Sequence, residues 1–546
     1  MMLSVPAATL GPVAPYAEVS ARFRWPDYAR FNIAAACCDL HAALHPDSPA
    51  IIEVGAGFEA RVMTYGEMRR EADKLAHALL RAGIEPGDRV AILLPQSRFV
   101  PIIHMAIYKI GAIALPLAAL FGAEALAYRL GDSRAKLLIT DGIGVEKLNA
   151  IRTEARHLET VVSLDGDDTG VTGYACFTQG CPEHFETRPS SGDDPALMIY
   201  TSGTTGHPKG ALHAQRVLVG HLPGAEMAYE FMPQQGDRLW TPADWAWAGG
   251  LLNVLLPGLY YGVPVVAWTF TKFDPEAAFA MMSALEVRNA FIPPTGLRLM
   301  RTVKNPVARY GMPLRAIGSG GEALGTPTFE WGDEVLGLRI NEFYGQTECN
   351  LVLGSSKAMG ITRAGVIGKA TPGHRVGIIR ADGSECEIGE RGIIAIRRPD
   401  PVMFLGYWDK PEATAEKFIG DWLTTGDQGV LDEQGYVGFV GRDDDLITSS
   451  GYRIGPVEIE DCLIKHEAVA LAGVVGKPDP VRTEIVTAFI VLKTGYQPSK
   501  ALEEDIRLFV RERLSAHEYP REIHFIDQMP LTTTGKVIRR DLRSRF

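Results

Sequence analysis

The chain has 546 residues, 46% of them hydrophobic and 22% charged, and carries a net charge of −11 at neutral pH. That length exceeds what one hydrophobic core sustains, so about three to four domain-sized units are expected. The acidic balance excludes the extended basic face that a nucleic acid or an anionic membrane would need. The seven cysteines, with Cys37 and Cys38 adjacent and no C-x-x-C pair, give neither a disulfide framework nor a zinc site, and a reducing, cytoplasmic setting is expected. The N-terminal residues lack a basic stretch followed by a long apolar core, so no signal peptide is read. The apolar stretch at 102–121 carries Lys109 and has prolines near its ends, which reads as a buried helix and strand and not as a membrane span.

Thr64 and Glu67 have the spacing of a capping box, and Met68, Ala72, Leu75, Ala76 and Leu79 then recur at helical intervals until Gly83. That pattern predicts a helix of about five turns. A Pro-Gly-Asp turn at 86–88 leads into residues 89–94, whose continuous apolar character predicts a strand covered on both faces. Residues 106–111 and 112–117 read as the next helix and strand, and 136–140 as another strand. A second round of alternation has a strand at 263–267, a helix at 275–285 and a strand at 290–293. Alternation of this kind predicts α/β units on mostly parallel sheet. The texture then changes to short strands with glycine turns at 376–379, 392–396 and 435–440, as expected of a small β-barrel-like unit. Residues 441–446, GRDDDL, have the composition of a linker. A helix at 455–463, strands at 469–475 and 485–492 and an amphipathic helix at 502–514 predict an α+β unit beyond it. The expected fold class is α/β, with a large N-terminal region over 1–443 made of two α/β subdomains plus the β-barrel-like unit, and a small α+β C-terminal domain over 444–546.

Between the two α/β rounds lies the stretch that carries most chemistry. Residues 195–200 are an apolar run of strand length, and T-S-G-T-T-G-H-P-K-G follows at 201–210 on the loop at its end. Gly203 and Gly206 lack a Cβ and let backbone N–H groups converge on an anion. Thr201, Ser202, Thr204 and Thr205 add hydroxyl donors and Lys209 adds a positive charge, the composition of a polyphosphate cradle. It is not a Walker loop, because Pro208 stands where glycine would precede the lysine and Gly210 where Ser or Thr would follow it. Pro208 also lacks the N–H that a helix-opening phosphate nest would use.

Further along come G-S-G-G-E at 318–322, E-F-Y-G-Q-T-E at 342–348, T-G-D at 425–427, G-R at 441–442, S-G-Y-R at 450–453 and P-L-T-T-T-G-K at 530–536. In this order, with the loop at 201–210, they match the signature elements of the adenylate-forming superfamily that includes acyl-CoA synthetases, luciferases and nonribosomal-peptide adenylation domains. The chain most resembles the medium-chain acyl-CoA synthetases, over nearly its whole length. That resemblance implies an AMP-forming acid–CoA ligase: a carboxylate attacks the α-phosphorus of ATP to give acyl-adenylate and pyrophosphate, and CoA then takes the acyl group. It also implies that the C-terminal domain is mobile, that Mg²⁺ accompanies ATP, and that the partners are a carboxylic acid, ATP and CoA, without nucleic acid or stable membrane insertion.

The resemblance assigns roles residue by residue. Gly321, Glu322, Ala323, Glu342, Phe343, Tyr344, Gly345 and Gln346 would bind ATP and AMP, with the Tyr344 ring suited to stacking on the adenine. Asp427 would accept the ribose hydroxyls, and Arg442 would donate to the sugar or a phosphate. Thr347, Glu348, Arg453 and Lys536 would be catalytic, and Glu348 with Thr204 would bear on the metal, for which oxygen ligands are suited. No general base is required, because the acid is already an anion at neutral pH. What the reaction needs is fixed positive charge and oriented N–H groups where negative charge builds up.

For the second half-reaction the resemblance implies a swing about the hinge position Asp444, bringing in Ser450, Gly451 and Tyr452 to bind CoA, with Gly451 helping to form the pantetheine tunnel. Arg511 is a candidate for the CoA phosphates, with Phe121 and Gly122 near the CoA adenine. In the segment 241–250, Trp247, Ala248 and Gly249 are expected to wall the acyl pocket together with Gly345, where acetyl-CoA synthetases place a bulky Trp. A pocket larger than acetate follows, for a medium-chain, branched or small cyclic acid. Cys349 and Asn350 depart from the usual small residue followed by Gly. The context of Lys536 also resembles sites of regulatory lysine acylation, which implies a lysine acetyltransferase and deacetylase as partners. An enzyme loading a carrier protein, an acetyl- or propionyl-CoA synthetase, and a nucleotide-binding protein without chemistry remain the alternatives, the last disfavoured by the retention of Lys536, Glu348 and Arg453.

Overall fold

The helix Tyr65–Arg81 begins as its sequence dictates: Thr64 and Glu67 close a reciprocal capping box, with Glu67 N–H donating to Thr64 Oγ1 at 3.2 Å and Thr64 N–H donating to Glu67 Oε2 at 2.9 Å. A computed structural model describes the chain apart from residues 1–5, 202–207, 271, 443–444, 450–451, 480–481, 515–518 and 533–535 and the side chains of Thr448, Tyr452 and Arg453. Among the described residues the strands form four sheets.

The eight-stranded sheet runs Gly406–Tyr407, Gly210–Ala214, Pro195–Tyr200, Ile113–Pro116, Arg89–Leu93, Leu137–Thr140, Thr160–Ser163, Thr172–Gly173. Its last six strands are parallel, and the strand Pro195–Tyr200, which ends at the phosphate loop, turns back antiparallel as Gly210–Ala214. The nine-stranded sheet runs Lys369–Ala370, Asn350–Gly354, Ile340–Gln346, Ala316–Gly320, Asn289–Phe291, Leu239–Trp240, Val265–Ala267, Pro49–Val54, Ala60–Thr64. Both expected rounds of alternation are therefore present, one in each sheet.

Three apolar clusters hold these sheets in five layers. One fills the space between them and includes Phe99–Ile110 and Val217–Ala228, helices buried over nearly their whole circumference as an interior position requires. The others cover the outer faces, with Pro275–Ala284 and Thr326–Trp331 on the nine-stranded sheet and Ala123–Ser133 and Gly142–Asn149 on the eight-stranded one. The apolar stretch around Lys109 is the inner helix, and Lys109 is buried but paired with Asp73 at 2.8 Å and with Asp39. Among the described residues no helix is long and apolar enough to cross a membrane.

The β-rich unit is a five-stranded antiparallel sheet, Val376–Ile379, Arg391–Arg397, Trp422–Leu431 and Phe418–Ile419, with Val437–Arg442 also paired to Trp422–Leu431. Beyond it, Pro456–Ile464 and Lys500–Arg513 pack on a sheet built from Thr483–Leu492, Val469–Asp479, Ile447–Ser449, Tyr452–Ile454 and Glu522–Phe525, with a core of its own. Asp445 is buried within this last unit. It accepts from Arg543 Nη2 at 2.8 Å and lies 3.5 Å from Arg539 Nη1, and Arg539 in turn grips Glu460 at 2.7 and 2.8 Å.

Candidate active site

A cavity of about 780 Å³ opens outside the carboxyl ends of the parallel strands of both large sheets, where ligands of α/β folds lodge. Leu93 ends a strand of one sheet and Ala119 and Asp141 follow two others, and Phe291, Gly320, Gly321, Phe343, Gly345, Gln346 and Thr347 come from strand ends of the second sheet. Glu322, Trp247, Ala248, Gly249 and Gly250 also line it. Thr532 and Lys536 enter it from the C-terminal unit.

The phosphate-loop residues Ser202, Gly203, Thr204, Thr205 and Gly206 lie outside the described residues. The ends of the loop are held together: Thr201 N–H donates to Lys209 O at 2.9 Å, and the Tyr128 hydroxyl donates to Pro208 O at 3.0 Å. The Lys209 ammonium sits 5.1 Å above the Tyr407 ring, and the Tyr407 hydroxyl donates to Glu348. One aromatic side chain thus ties the loop's charge to the carboxylate expected at the metal.

Asp427 is buried at the edge of the β-rich unit, directly across from Arg442. The Tyr344 hydroxyl donates to Asp427 Oδ2 at 2.5 Å and Gln346 Nε2 donates to the same oxygen at 2.7 Å. Burial pushes the Asp427 carboxyl upward, against the opposing pull of Tyr344, Arg442, Gln346 and Lys536. The expected ribose acceptor and the expected adenine platform are therefore neighbours.

Lys536 closes the site. Its side chain lies against Gly321, where a Cβ would stand 3.6 Å from Lys536 Cε, and Gly321 holds φ +100, a conformation that suits glycine. The turn bearing Lys536 is fixed by Thr532 N–H donating to Lys536 O at 2.7 Å and Lys536 N–H donating to Thr532 Oγ1 at 3.0 Å. Lys536 is exposed to the cleft along part of its length, but the protein around its amine desolvates the charge and lowers its affinity for the proton, which Glu322 and Asp427 only partly offset. Glu322 itself accepts from Thr295 and from Arg298 Nη1 at 3.0 Å, while Arg298 Nη2 reaches Ala323 O at 3.3 Å. Glu342 is not among the cavity-lining residues. Its Oε1 accepts from Leu324 N–H at 3.1 Å, and burial, reinforced by the charge of Asp461, pushes its carboxyl up to about 8.

Residues 38–408 match a family model described as AMP-binding enzyme, and residues 458–536 match one described as AMP-binding enzyme C-terminal domain. The chain belongs to the AMP-binding enzyme family. It is 34% identical over 523 residues to the acetyl-coenzyme A synthetase of Bacillus subtilis (strain 168), covering 94% of this chain and 90% of that protein. It is 33% identical over 538 residues to the mitochondrial acyl-coenzyme A synthetase ACSM5 of Mus musculus, covering 95% and 91%. Among solved structures, the anthranilate CoA ligase AuaEII in complex with anthranoyl-AMP superposes with a TM-score of 0.88 at 27% identity, over 95% of this chain and 97% of that one. The Brucella canis acyl-CoA synthetase gives a TM-score of 0.75 at 32% identity, over 97% and 99%. This AMP-binding enzyme is an acid–CoA ligase of the AMP-forming kind, a class that uses ATP, CoA and Mg²⁺.

Glu348 fits a magnesium ion chemically: it is a buried carboxylate, one oxygen is taken by Tyr407, and no donor claims the other among the described residues. On the CoA side, Asp444, Ser450 and Gly451 lie outside the described residues, and Tyr452 and Arg453 belong to the strand Tyr452–Ile454 with undescribed side chains. Arg511 is exposed on Lys500–Arg513, 5.6 Å above the Tyr519 ring and not among the residues lining the cavity. Phe121 packs edge-on against Trp247 at 5.7 Å.

At Gly345 the expectation of open space meets a different geometry. A Cβ there would fall 1.2 Å from Asn350 O, so the glycine serves a close backbone approach. Asn350 holds φ 48, the left-handed region that asparagine tolerates better than most residues. Its departure from the usual glycine is therefore conformationally conservative. Sequence reasoning did not single out Tyr407, Thr295 or Arg298. Their roles depend on contacts 59, 27 and 24 residues away along the chain, and no local spacing signals them.

Proposed function

We propose that this acyl-CoA synthetase activates a carboxylic acid larger than acetate, of medium-chain, branched or small cyclic type, by adenylation in the cavity bounded by Gly321 and Lys536. The observation that carries the adenylation part of the reading is Lys536 lying on Gly321 inside the cleft, although it belongs to the far end of the chain; the size of the acid rests on Ala248 and Gly249, small residues that line the cavity beside Trp247. There a single ammonium can meet both the incoming carboxylate and the α-phosphate, holding two anions together against their repulsion. Lys209 and the loop amides serve the remaining phosphates, Asp427 and Arg442 the ribose, and Tyr344 with its neighbours the adenine. When bound, Mg²⁺ at Glu348 would neutralise phosphate charge.

CoA attack follows once the C-terminal domain, beginning near Asp444, has turned about that hinge. Support for a boundary there comes from Asp445, whose partners Arg539 and Arg543 are both C-terminal. Ser450, Gly451, Tyr452 and Arg511 would then serve CoA, and Arg453 the adenylation pose. A lysine acetyltransferase and deacetylase pair acting on Lys536, and a cytoplasmic location in keeping with seven unpaired cysteines, complete the reading.

The test is a carboxylate panel assayed for pyrophosphate release with and without CoA. Sustained turnover with free CoA supports the ligase, turnover only with a carrier protein replaces it, and acetate outperforming every larger acid overturns the substrate class. If homogeneous acetylation at Lys536 left the rate of acyl-AMP formation unchanged, the regulatory part would fall.

A further inference from the structure

The inner wall of the cavity, beyond Trp247, is not uniformly apolar. His221 on Val217–Ala228 and Asn253 on the buried turn Leu251–Leu255 both line it, beside Gly249, Phe291 and Leu351. Both are almost completely buried, and His221 Nε2 lies 2.7 Å from Asn253 Oδ1. Because that oxygen can only accept, His221 must carry its proton on Nε2 and donate it. Burial pushes the His221 imidazole down to about 3, so the ring is neutral at physiological pH, and the bond to Asn253 Oδ1 selects the tautomer.

The consequence falls on the other half of the amide. With Oδ1 held by His221, Asn253 Nδ2 is turned outward, 3.8 Å from the point where a Cβ on Gly249 would stand. That Cβ would also come within 2.9 Å of the Phe291 ring, so the ring closes over Gly249 only because it is glycine. The missing side chain leaves the direction of Nδ2 open to the cavity, and among the described residues Nδ2 has no acceptor. A polar N–H oriented at a largely apolar wall is costly unless a ligand satisfies it.

We propose that Asn253, oriented by His221, is a specificity determinant that donates a hydrogen bond to an acceptor on the body of the acyl group. The substrate is then an acid bearing a carbonyl, ether or ring-heteroatom acceptor away from its carboxylate, not a plain hydrocarbon acid. Asn253 touches the substrate, and His221 is a positioning residue that fixes which end of the amide faces it. This deepens the reading of a medium-sized or small cyclic acid and rests on it.

The experiment compares matched acids in ATP–pyrophosphate exchange: tetrahydropyran-4-carboxylate against cyclohexanecarboxylate, and 5-oxohexanoate against hexanoate. The acceptor-bearing member is expected to have the higher kcat/KM by about 10- to 100-fold, the range one buried hydrogen bond supports, with the difference mainly in KM. Asn253→Leu should bring each ratio to one or below, and His221→Phe should shrink it while His221→Gln, which can still donate, restores part of it. Exchange with none of the acids would sink the adenylation reading itself. Exchange with all of them at equal efficiency in the unmodified enzyme would overturn only the donor, whether or not the variants fold. A preference for donor-bearing acids would mean that the amide faces the other way, which also overturns it.

Discussion

Lys536 Cε lies 3.6 Å from the point where a Cβ on Gly321 would stand, so the residue proposed to stabilise the reacting anions is delivered from the C-terminal unit onto a bare stretch of the N-terminal one. Charge needed only while the acid attacks the α-phosphorus should weigh on that step and not on transfer to CoA. Lys536→Ala is expected to lower acyl-adenylate formation by about 10²- to 10³-fold, the usual loss for one preorganised electrostatic group. CoA transfer from supplied acyl-adenylate should change far less. Equal losses in both half-reactions would show that Lys536 serves the fold and not the first step.

The same lysine should set an alkaline limit. Desolvation of its amine within the cleft holds its proton affinity below the ordinary lysine value, with Glu322 and Asp427 opposing, so the charged form is lost earlier as pH rises. For ATP–pyrophosphate exchange, which involves no thiol, kcat/KM should fall on the alkaline side with an apparent pKa below that of a free lysine. Lys536→Arg, whose guanidinium stays charged throughout, should remove that limb whatever its absolute rate. A limb unchanged in position would assign it to another group.

Much of this was legible in the chain because the relevant physics is local. The Thr64 and Glu67 box, the run Pro195–Tyr200 before a glycine-rich loop, and the change of texture after residue 376 each announce themselves within a few residues. What stayed hidden depends on partners distant in sequence. Tyr407 reaches Glu348, Arg298 reaches Glu322, and His221 reaches Asn253, pairs that only the packing of two sheets brings together. Gly345 illustrates a subtler limit: its small size was visible, but not that the space beside it belongs to the Asn350 carbonyl.

That carbonyl yields a third prediction. If Gly345 merely left room in the pocket, Gly345→Trp would shift preference to shorter acids while the protein stayed intact. With a Cβ only 1.2 Å from Asn350 O, even Gly345→Ala must displace the paired strand Asn350–Gly354. Gly345→Ala is expected to cost about 1–3 kcal/mol in stability, as overpacked sites do, and to depress activity with every acid alike. Unaltered thermal stability together with a selective gain for acetate would reinstate the simpler pocket argument.

The last prediction concerns the carboxyls at the junction of the two units. Burial, together with the charge of Asp461, pushes Glu342 up to about 8, while Asp461 is itself pushed up to about 6, chiefly by burial. Asp461 meets the N-terminal region at Gly325, where a Cβ would come within 2.8 Å of its Oδ1. A carboxyl whose folded pKa is raised contributes stability that is fully present below its unfolded value and is lost as pH rises through the folded one. Between about pH 4.5 and about pH 8 the folded protein keeps a proton on Glu342 that the unfolded chain has released, so Tm should decline across that window. Glu342→Gln keeps an acceptor for Leu324 N–H without the titration. It should flatten the decline and raise Tm at the alkaline end by several degrees, leaving the acid end nearly unchanged. A variant whose Tm falls as steeply with pH as the parent's would place the proton elsewhere in the junction, with Asp461 the next group to test by Asp461→Asn.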